Sequence, residues 1–271
     1  MPPTLRALLI TALTLISSSD VAAQNIDLHD DLAHLRDATR ISVGAGLLTG
    51  NIAFKANTFE LEADLGQIPT TSFSMITWPE RFAGIEFSYQ TGFLGALDVP
   101  QLNAQSGDSA LSLSSHRIEG AFVYRLFAGP RSDSLAAGVK LGFLLQNLSS
   151  NDHIPTILLD TTWAGPSLGP FLSLPFAQGD IGLDLSANII LPFFVRESPR
   201  RSGTPRDPLG LNFAIEPFFR LSRQLFLTLQ IELHHFSSDF YSVGDRWYGD
   251  IRDASKDNTF LSSSLSIQWL L

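Results

Sequence analysis

Apolar residues alternate with polar or small residues along most of this chain, and each alternating stretch is long. From Ile181 to Val195 every odd position is apolar, while the even positions include Gly182, Asp184 and Asn188. A period of two is typical of β-strands, whose successive side chains point to opposite faces. Strands of soluble sheets average about 5 to 6 residues, whereas strands that cross a membrane within a barrel need about 9 to 11. The length of the alternation therefore favours a closed antiparallel barrel.

The composition limits function as well as fold. Only 17% of the 271 residues are charged, compared with roughly 25% in ordinary soluble domains. The net charge of -9, without a large basic cluster, argues against binding to nucleic acid. The chain has no cysteine, and its six histidines show no metal-ligand spacing, so we expect neither a metal nor a cofactor. No internal run reaches the roughly 18 apolar residues of a spanning helix, but a closed sheet satisfies every backbone group without one.

The N-terminus predicts export. Residues 1–6 carry one positive side chain, residues 7–16 are mostly apolar, and Val21-Ala22-Ala23 offers the small residues that a signal peptidase reads. We therefore expect a signal peptide at 1–23. A periplasmic N-terminal leader at 24–40 and a barrel at 41–271 then follow.

The links between strands differ in length. Short links at 128–133, 178–180 and 222–224 alternate with longer ones at 96–110, 150–164, 198–208 and 241–258. Short periplasmic turns and long extracellular loops are typical of outer-membrane barrels. From about residue 57 onwards the pattern resembles that of bacterial outer-membrane β-barrel proteins.

The last strand supports the same resemblance, because Leu265, Ile267, Trp269 and Leu271 share one face and end at the C-terminus. It resembles the signal that the barrel-assembly machinery reads, although the terminal aromatic residue is replaced by leucine. The resemblance implies contact with outer-membrane lipid and lipopolysaccharide.

We predict ten strands, with eight or twelve as alternatives. The predicted strands are 57–66, 71–78, 83–95, 112–127, 135–149, 165–177, 181–197, 209–221, 225–240 and 258–271, with a turn at 78–81. Residues 41–56 also alternate. They could continue the first strand, fold inward as a leader, or belong to a barrel of twelve strands.

A barrel of about ten strands lies near the size at which side chains fill the interior. The inward-facing rows carry both charge signs, which predicts a lumen network of paired charges or, alternatively, a narrow polar conduit or small-ligand site. The network is predicted to comprise Glu86, Arg117, Glu119, Arg125, Lys140, Asp184, Glu216, Arg220 and Glu232. The same parity argument places Glu60, Glu62, Asp64 and Arg196 inside the barrel and Phe59, Leu61, Ala63 and Leu65 outside it.

One local feature could carry chemistry. His235 and Ser237 lie two apart on a late strand and share its lipid-facing side, so the imidazole could activate the hydroxyl as a nucleophile. This pair resembles the His-x-Ser motif of the lipid A 3-O-deacylases, which are small outer-membrane barrels. The resemblance implies that His235 is the base and Ser237 the nucleophile, while Ser238 replaces the family's usual asparagine. The candidates for the acid are Asp245, Asp250 and Asp253.

The sequence thus predicts an outer-membrane barrel with a structural, binding or narrow-transport role. The lipid-directed serine esterase is one alternative. A soluble secreted β-barrel or sandwich, with its apolar rows buried inside, is another.

Overall fold

The computed structural model describes residues 39–57, 60–98, 111–129, 134–150, 160–198, 201–241, 244 and 253–271. The predicted signal peptide and all but the end of the predicted leader lie outside these residues. Within them, no helix has the length and hydrophobicity needed to cross a membrane.

Nearly all of the described chain is β-strand. The strands are β1 (Arg40–Lys55), β2 (Glu60–Glu80), β3 (Ala83–Asp98), β4 (Leu111–Phe127), β5 (Ala136–Ser150), β6 (Asp160–Phe176), β7 (Ile181–Ile190), β8 (Phe194–Ser198), β9 (Thr204–Arg220), β10 (Leu225–Tyr241) and β11 (Ala254–Leu270). A 3-10 turn, Ala177–Gly179, joins β6 to β7.

The strands form one closed antiparallel barrel. Apart from β8, strands that follow each other along the chain pair with each other, so that β7 pairs with β9, and β1 also pairs with β11. Because β7 and β8 both pair with β6, they occupy one position in the wall. The wall therefore has ten positions, which confirms the predicted fold and strand number.

The connections define two ends of the barrel. At the turn end lie the links 81–82, 128–135, 177–180 and 221–224, together with the start of β1 and the C-terminus. At the loop end lie the strand ends at residues 55 and 60, 98 and 111, 150 and 160, 198 and 204, and 241 and 254. The strands extend further toward this end than the sequence predicts; β6 begins at residue 160 and β9 at residue 204.

The first two strands differ from the prediction. Residues 40–55 form β1, and 60–80 form one strand instead of the two predicted at 57–66 and 71–78. The expected break is a β-bulge, because Leu65 pairs with Gly50 but Ile68 pairs with Leu48. The hairpin turn falls at 81–82, since Glu80 pairs with Ala83.

The predicted facing of residues 60–65 is wrong. Leu61, Ala63 and Leu65 are buried inside the barrel, whereas Glu60 and its acidic neighbours 62 and 64 are exposed outside. Side chains alternate with a period of two, so an extra residue in one strand turns every side chain beyond it to the other face. The prediction assigned the apolar row to the lipid side, whereas Leu61, Ala63 and Leu65 pack into the apolar core of the lumen.

A second irregularity lies at residues 191–193, between β7 and β8. Pro192 has no N–H to donate to a neighbouring strand, and the phase of the alternation changes beyond it. Arg196, predicted to face inward, is exposed, and Glu197 is buried in its place. Among the described residues β8 pairs with β6 alone, so the wall between β8 and β9 is open there.

The outer face carries an apolar belt to which every strand contributes. The members of the belt are large apolar side chains, each more than a third exposed; examples in strand order are Val43, Phe73, Phe87, Phe122, Leu141, Leu168, Ile189, Phe194, Leu211, Leu229 and Leu265. The exposed acids 60, 62 and 64 lie beyond this belt, at the loop-end tip of β2.

The loop-end half of the lumen is filled by an apolar core. This core comprises Leu48, Ile52, Phe54, Leu61, Ala63, Leu65, Ile68, Leu113, Leu144, Leu148, Trp163, Ile190, Phe236, Phe240, Ala254 and Phe260. The rings of Trp163 and Phe236 stack within it, with centroids 5.2 Å apart. Apolar side chains therefore close the lumen on the side of the long loops.

Candidate functional site

A polar chamber occupies the turn-end half of the lumen. Its volume is about 180 Å³, and its lining runs from Arg40 and Gln268 near the turn end to Arg117 and Glu232 below the apolar core. Eight of the nine predicted lumen charges line it: Glu86, Arg117, Glu119, Arg125, Lys140, Asp184, Glu216 and Glu232. Since the apolar core lies above, we refer to the end near Arg117 as the blind end.

Arg117 bridges the lumen at the blind end. Its Nη1 donates to Glu232 Oε2 at 2.7 Å, and its Nη2 donates to Glu119 Oε2 at 2.7 Å. Its Nη1 also lies 3.0 Å from His234 Nε2. Because β4 and β10 occupy opposite positions in the ten-position wall, this buried network ties the two sides of the barrel together.

A second ion pair lies lower in the chamber. Lys140 Nζ is 2.7 Å from Glu86 Oε2, and both side chains are partly exposed to the chamber. The ammonium also lies 6.0 Å from the ring centroid of Phe171. Lys140 is therefore held on the β3–β5 side of the wall.

The two remaining predicted arginines contact backbone and rings near the turn end. Arg125 stacks 3.5 Å from the ring centroid of Trp78, and its Nε donates to the carbonyl of Arg81 at 2.9 Å. Arg220 donates to two carbonyls of the β9–β10 turn and lies 3.5 Å from Asp180 Oδ1. These contacts hold the short turns against the barrel.

The wall formed by β7 and β9 carries polar groups that face each other in pairs. Asp184 pairs with Glu216, and four residues further along the strands Asn188 pairs with Asn212. All four side chains line the chamber. The sequence analysis identified the two acids but not the asparagines, whose only signal was their position on the inward-facing rows.

A buried ion pair lies beside the apolar core and was missed. Lys256 Nζ is 3.4 Å from Glu197 Oε1, donates to Thr161 Oγ1 and lies 5.7 Å from the Trp163 ring centroid. Glu197 Oε2 in turn accepts from the backbone N–H of Ser202 at 2.6 Å. The sequence analysis placed Lys256 in a loop and Glu197 on the outer face, so neither was a candidate.

The predicted esterase residues lie on the outer face near the loop end. His235 Nδ1 is 3.0 Å from Thr259 Oγ1, and His235 Nε2 is 3.9 Å from Asp257 Oδ1. Ser237 pairs across the strands with Asp257. Within the described part of the chain, no hydrogen bond joins His235 to Ser237, because both ring nitrogens point to β11.

The three acid candidates are not the residues beside His235. Asp245 and Asp250 lie outside the described residues, and Asp253 is an exposed residue with a positive φ of 50° just before β11. The carboxylate near the imidazole is Asp257, which the sequence analysis assigned to the preceding loop. The structure thus places His235, Ser237 and Asp257 close together, but the three side chains do not form a hydrogen-bonded catalytic triad.

No protein-family model and no curated protein matches the sequence. Among solved structures, the chain is similar to the outer membrane protein OprG from Pseudomonas aeruginosa, at 9% identity over 87% of this chain and 97% of that one, with a TM-score of 0.43. The translocator domain of the autotransporter NalP from Neisseria meningitidis is 10% identical over 97% and 95%, with a TM-score of 0.38. The toluene transporter TodX of P. putida is 9% identical over 92% and 94%, with a TM-score of 0.31. The fold of this chain is defined by its own strand pairing, which makes it a closed ten-position antiparallel β-barrel.

Proposed function

We propose that this protein is an integral β-barrel of the bacterial outer membrane that binds a small polar ligand in its lumen. The observation that carries the proposal is the distribution of side chains across the wall. A continuous apolar belt faces outward, and a charged chamber lies inside the turn-end half. Soluble monomers rarely expose contiguous apolar patches larger than a few hundred Å², whereas an outward apolar band is what a membrane barrel requires.

The orientation follows from the two ends. Outer-membrane barrels place short turns in the periplasm and longer loops outside the cell. The turn end is therefore assigned to the periplasm, and the exposed acids of β2 to the extracellular side. In this orientation the chamber is entered from the periplasm, and the apolar core closes it toward the cell exterior.

Binding is favoured over free conduction because the apolar core fills the route beyond the chamber. The ion pair of Arg117 with Glu232 also crosses the lumen below that core. We expect purified protein in planar bilayers to show no steady open-channel conductance. A stable conductance in the range of general porins would contradict a closed lumen.

Fractionation and labelling test the placement in the membrane. We expect the protein in the outer-membrane fraction and extractable only with detergent. Because the chain has no cysteine, single replacements report topology directly. Glu62→Cys should react with an impermeant maleimide on intact cells, and Arg223→Cys should react only after the outer membrane is opened. A protein that stays soluble without detergent, or the reversed labelling pattern, would refute the proposal.

A second candidate function is ester hydrolysis at the outer leaflet. It is favoured by the position of His235 near Asp257 with Ser237 on the same face. Activity requires the imidazole to turn from Thr259 toward Ser237, since a general base must be within hydrogen-bond reach of its nucleophile. The test compares the lipid A acyl pattern of cells that express wild type, Ser237→Ala or His235→Ala. An unaltered pattern with wild type excludes this function.

A further inference from the structure

Two buried asparagines face each other on the wall of the chamber. Asn188 on β7 and Asn212 on β9 are direct cross-strand partners, and both line the chamber. Asn212 also pairs with His234, so the two amides lie at the blind end, beside the Arg117 network. The two residues are 6% and 5% exposed, and the Oδ1 atom of each has no hydrogen-bond partner within the described residues. Leaving a buried acceptor without a donor is unfavourable, so this position favours a ligand that donates hydrogen bonds.

The wall opposite the asparagines carries hydroxyl and amide groups. Strands β2 and β3 occupy the positions that lie across the ten-position barrel from β7 and β9. On this wall Ser72 pairs with Gln90 and Ser74 pairs with Ser88, and all four line the chamber. Hydroxyl and amide side chains both donate and accept hydrogen bonds. They therefore suit a ligand whose own groups also do both.

The charges of the chamber are close to balance. Among the described residues that line it, four bases, including Arg40 and Arg125 near the turn end, face five acids. Arg117 and Lys140 are ion-paired with acids of the chamber, and Arg125 lies over a tryptophan ring. A charged ligand of either sign would compete with these interactions, whereas a neutral ligand would leave them intact. The chamber therefore favours a neutral ligand.

The volume of the chamber limits the size of the ligand. A water molecule occupies roughly 30 Å³ in the liquid, so a chamber of about 180 Å³ has room for several waters or for one compact molecule in their place. The asparagine oxygens need donors, and the opposite wall offers groups that donate and accept. A single sugar ring carries several hydroxyl groups around its rim, so one ring offers hydrogen bonds to both walls.

We propose that the chamber binds a neutral monosaccharide. Two of its hydroxyl groups donate to the Oδ1 atoms of Asn188 and Asn212, and others form hydrogen bonds with the serines and the glutamine of β2 and β3. This inference rests on the proposed function, because it names the ligand class of the luminal site and takes the turn end as the route of entry.

Saturation-transfer NMR on the purified full barrel tests the inference, in a detergent without a sugar headgroup. The probes are D-glucose, D-galactose and D-mannose, each titrated separately. We expect at least one of them to bind saturably. Its affinity should be the same at low and high salt, because mobile ions screen interactions between charges and the ligand has none.

Substitution of the asparagines tests where the sugar lies. Asn188→Leu and Asn212→Leu remove the amide but change the side-chain volume little. Each should weaken binding about 3- to 10-fold, which is the effect of one hydrogen bond between uncharged groups. Asn51→Leu is the matched control, because Asn51 contacts acids 62 and 64 on the outer face, and its affinity should equal that of wild type. Resistance of the folded barrel to unfolding in cold detergent gels verifies that each variant is folded.

Ionic probes separate failure of this inference from failure of luminal binding. Glycine betaine and inorganic phosphate should not bind. Binding of either one, with none of the three sugars, would overturn the monosaccharide but leave a polar-ligand site in the lumen. No binding of any probe would overturn both. Unchanged affinity in both luminal variants, or equal weakening in Asn51→Leu, would also overturn the inference, while the fractionation and labelling results would stand.

Discussion

The two halves of the lumen are built on the same strands but are filled in opposite ways. On β5, inward-facing Lys140 lies in the chamber and is paired with Glu86, whereas inward-facing Leu144 is buried in the apolar core. On β10, Glu232 belongs to the chamber and Phe236 to the core. The register of β10 with β11 and of β4 with β5 is unshifted, so the inward side chains decide whether a section of the barrel is polar or apolar.

The border between the halves is a layer of buried polar groups. Arg117, Glu232 and His234 are each 6% exposed or less, and they link opposite sides of the wall. Removing one member of such a network leaves the others charged and unpaired, whereas removing a core side chain leaves a cavity. Mutations in the polar layer should therefore destabilise the barrel by leaving buried charges unpaired, and mutations in the apolar core by creating cavities.

The largest effect is expected from Arg117→Leu. Breaking a buried ion pair from one side costs about 3 to 5 kcal/mol, and here two carboxylates, those of Glu119 and Glu232, lose their partner. The free energy of unfolding in urea, measured in lipid vesicles, should fall by that amount. The double variant Arg117→Leu with Glu232→Leu should recover part of the loss. A single variant as stable as wild type would show that the layer does not hold the wall together.

A slightly smaller loss is expected from Leu144→Ala in the apolar core. Leu144 is 1% exposed, and removing a buried leucine side chain costs about 2 to 5 kcal/mol, depending on how far the site collapses. Leu141 lies on the same strand and is 57% exposed on the outer belt. Leu141→Ala is thus a matched control that leaves no internal cavity. Equal losses in the two variants, again from urea unfolding in vesicles, would mean that the core is not packed.

These expectations depend on which face each residue occupies, and the sequence predicts facing only within an uninterrupted strand. On β5 and β10 the period of two is unbroken, so the inward positions of Lys140 and Glu232 followed directly from the alternation. On β2 the buried row consists of Ile68 and Thr70 on one side of the bulge and of Leu61, Ala63 and Leu65 on the other, so acids 60, 62 and 64 lie outside. The prediction treated the two stretches as separate strands and assigned the apolar row of the first to lipid. A bulge has no reliable sequence signature, so its position emerges only from the pairing with β1.

The missed site residues have a related cause. Lys256 and Asp257 were assigned to a loop because β11 starts four residues earlier than predicted, and polar strand ends do not differ from loops in composition. Asn188 and Asn212 were visible as inward polar residues. The two Oδ1 atoms lack a hydrogen-bond partner within the described residues, and the two side chains face each other because of the register between β7 and β9. The sequence pattern of a single strand does not predict that register. The number of strands and the closure of the barrel can be predicted from the alternation within each strand. The composition of the site depends on the register between strands.

A moderate effect is expected from Lys140→Met in the chamber. The pair with Glu86 is partly hydrated, with side chains 21% and 28% exposed, so water screens the charge that remains. We expect a loss of about 1 kcal/mol, near the upper limit for exposed pairs, in the same unfolding assay. The loss should shrink at high salt, because mobile ions screen hydrated charges but reach buried ones poorly. A loss as large as that of Arg117→Leu would indicate that the chamber is not hydrated.

The smallest effect is expected from Arg206→Ala at the loop end. Arg206 Nε lies 3.2 Å from Asp207 Oδ2, but the side chains are 68% and 82% exposed and adjacent in the chain. Pairs of this kind contribute about 0 to 1 kcal/mol because water competes for both charges and ordering two long side chains costs entropy. The free energy of unfolding should therefore be that of wild type within the error of the assay. Arg117 and Arg206 are both arginines in an ion pair on a strand, so the difference between their effects isolates the contribution of burial. A loss of several kcal/mol from Arg206→Ala would show that the outer pair is shielded from solvent, and that the contrast between buried and exposed charges does not govern the stability of this barrel.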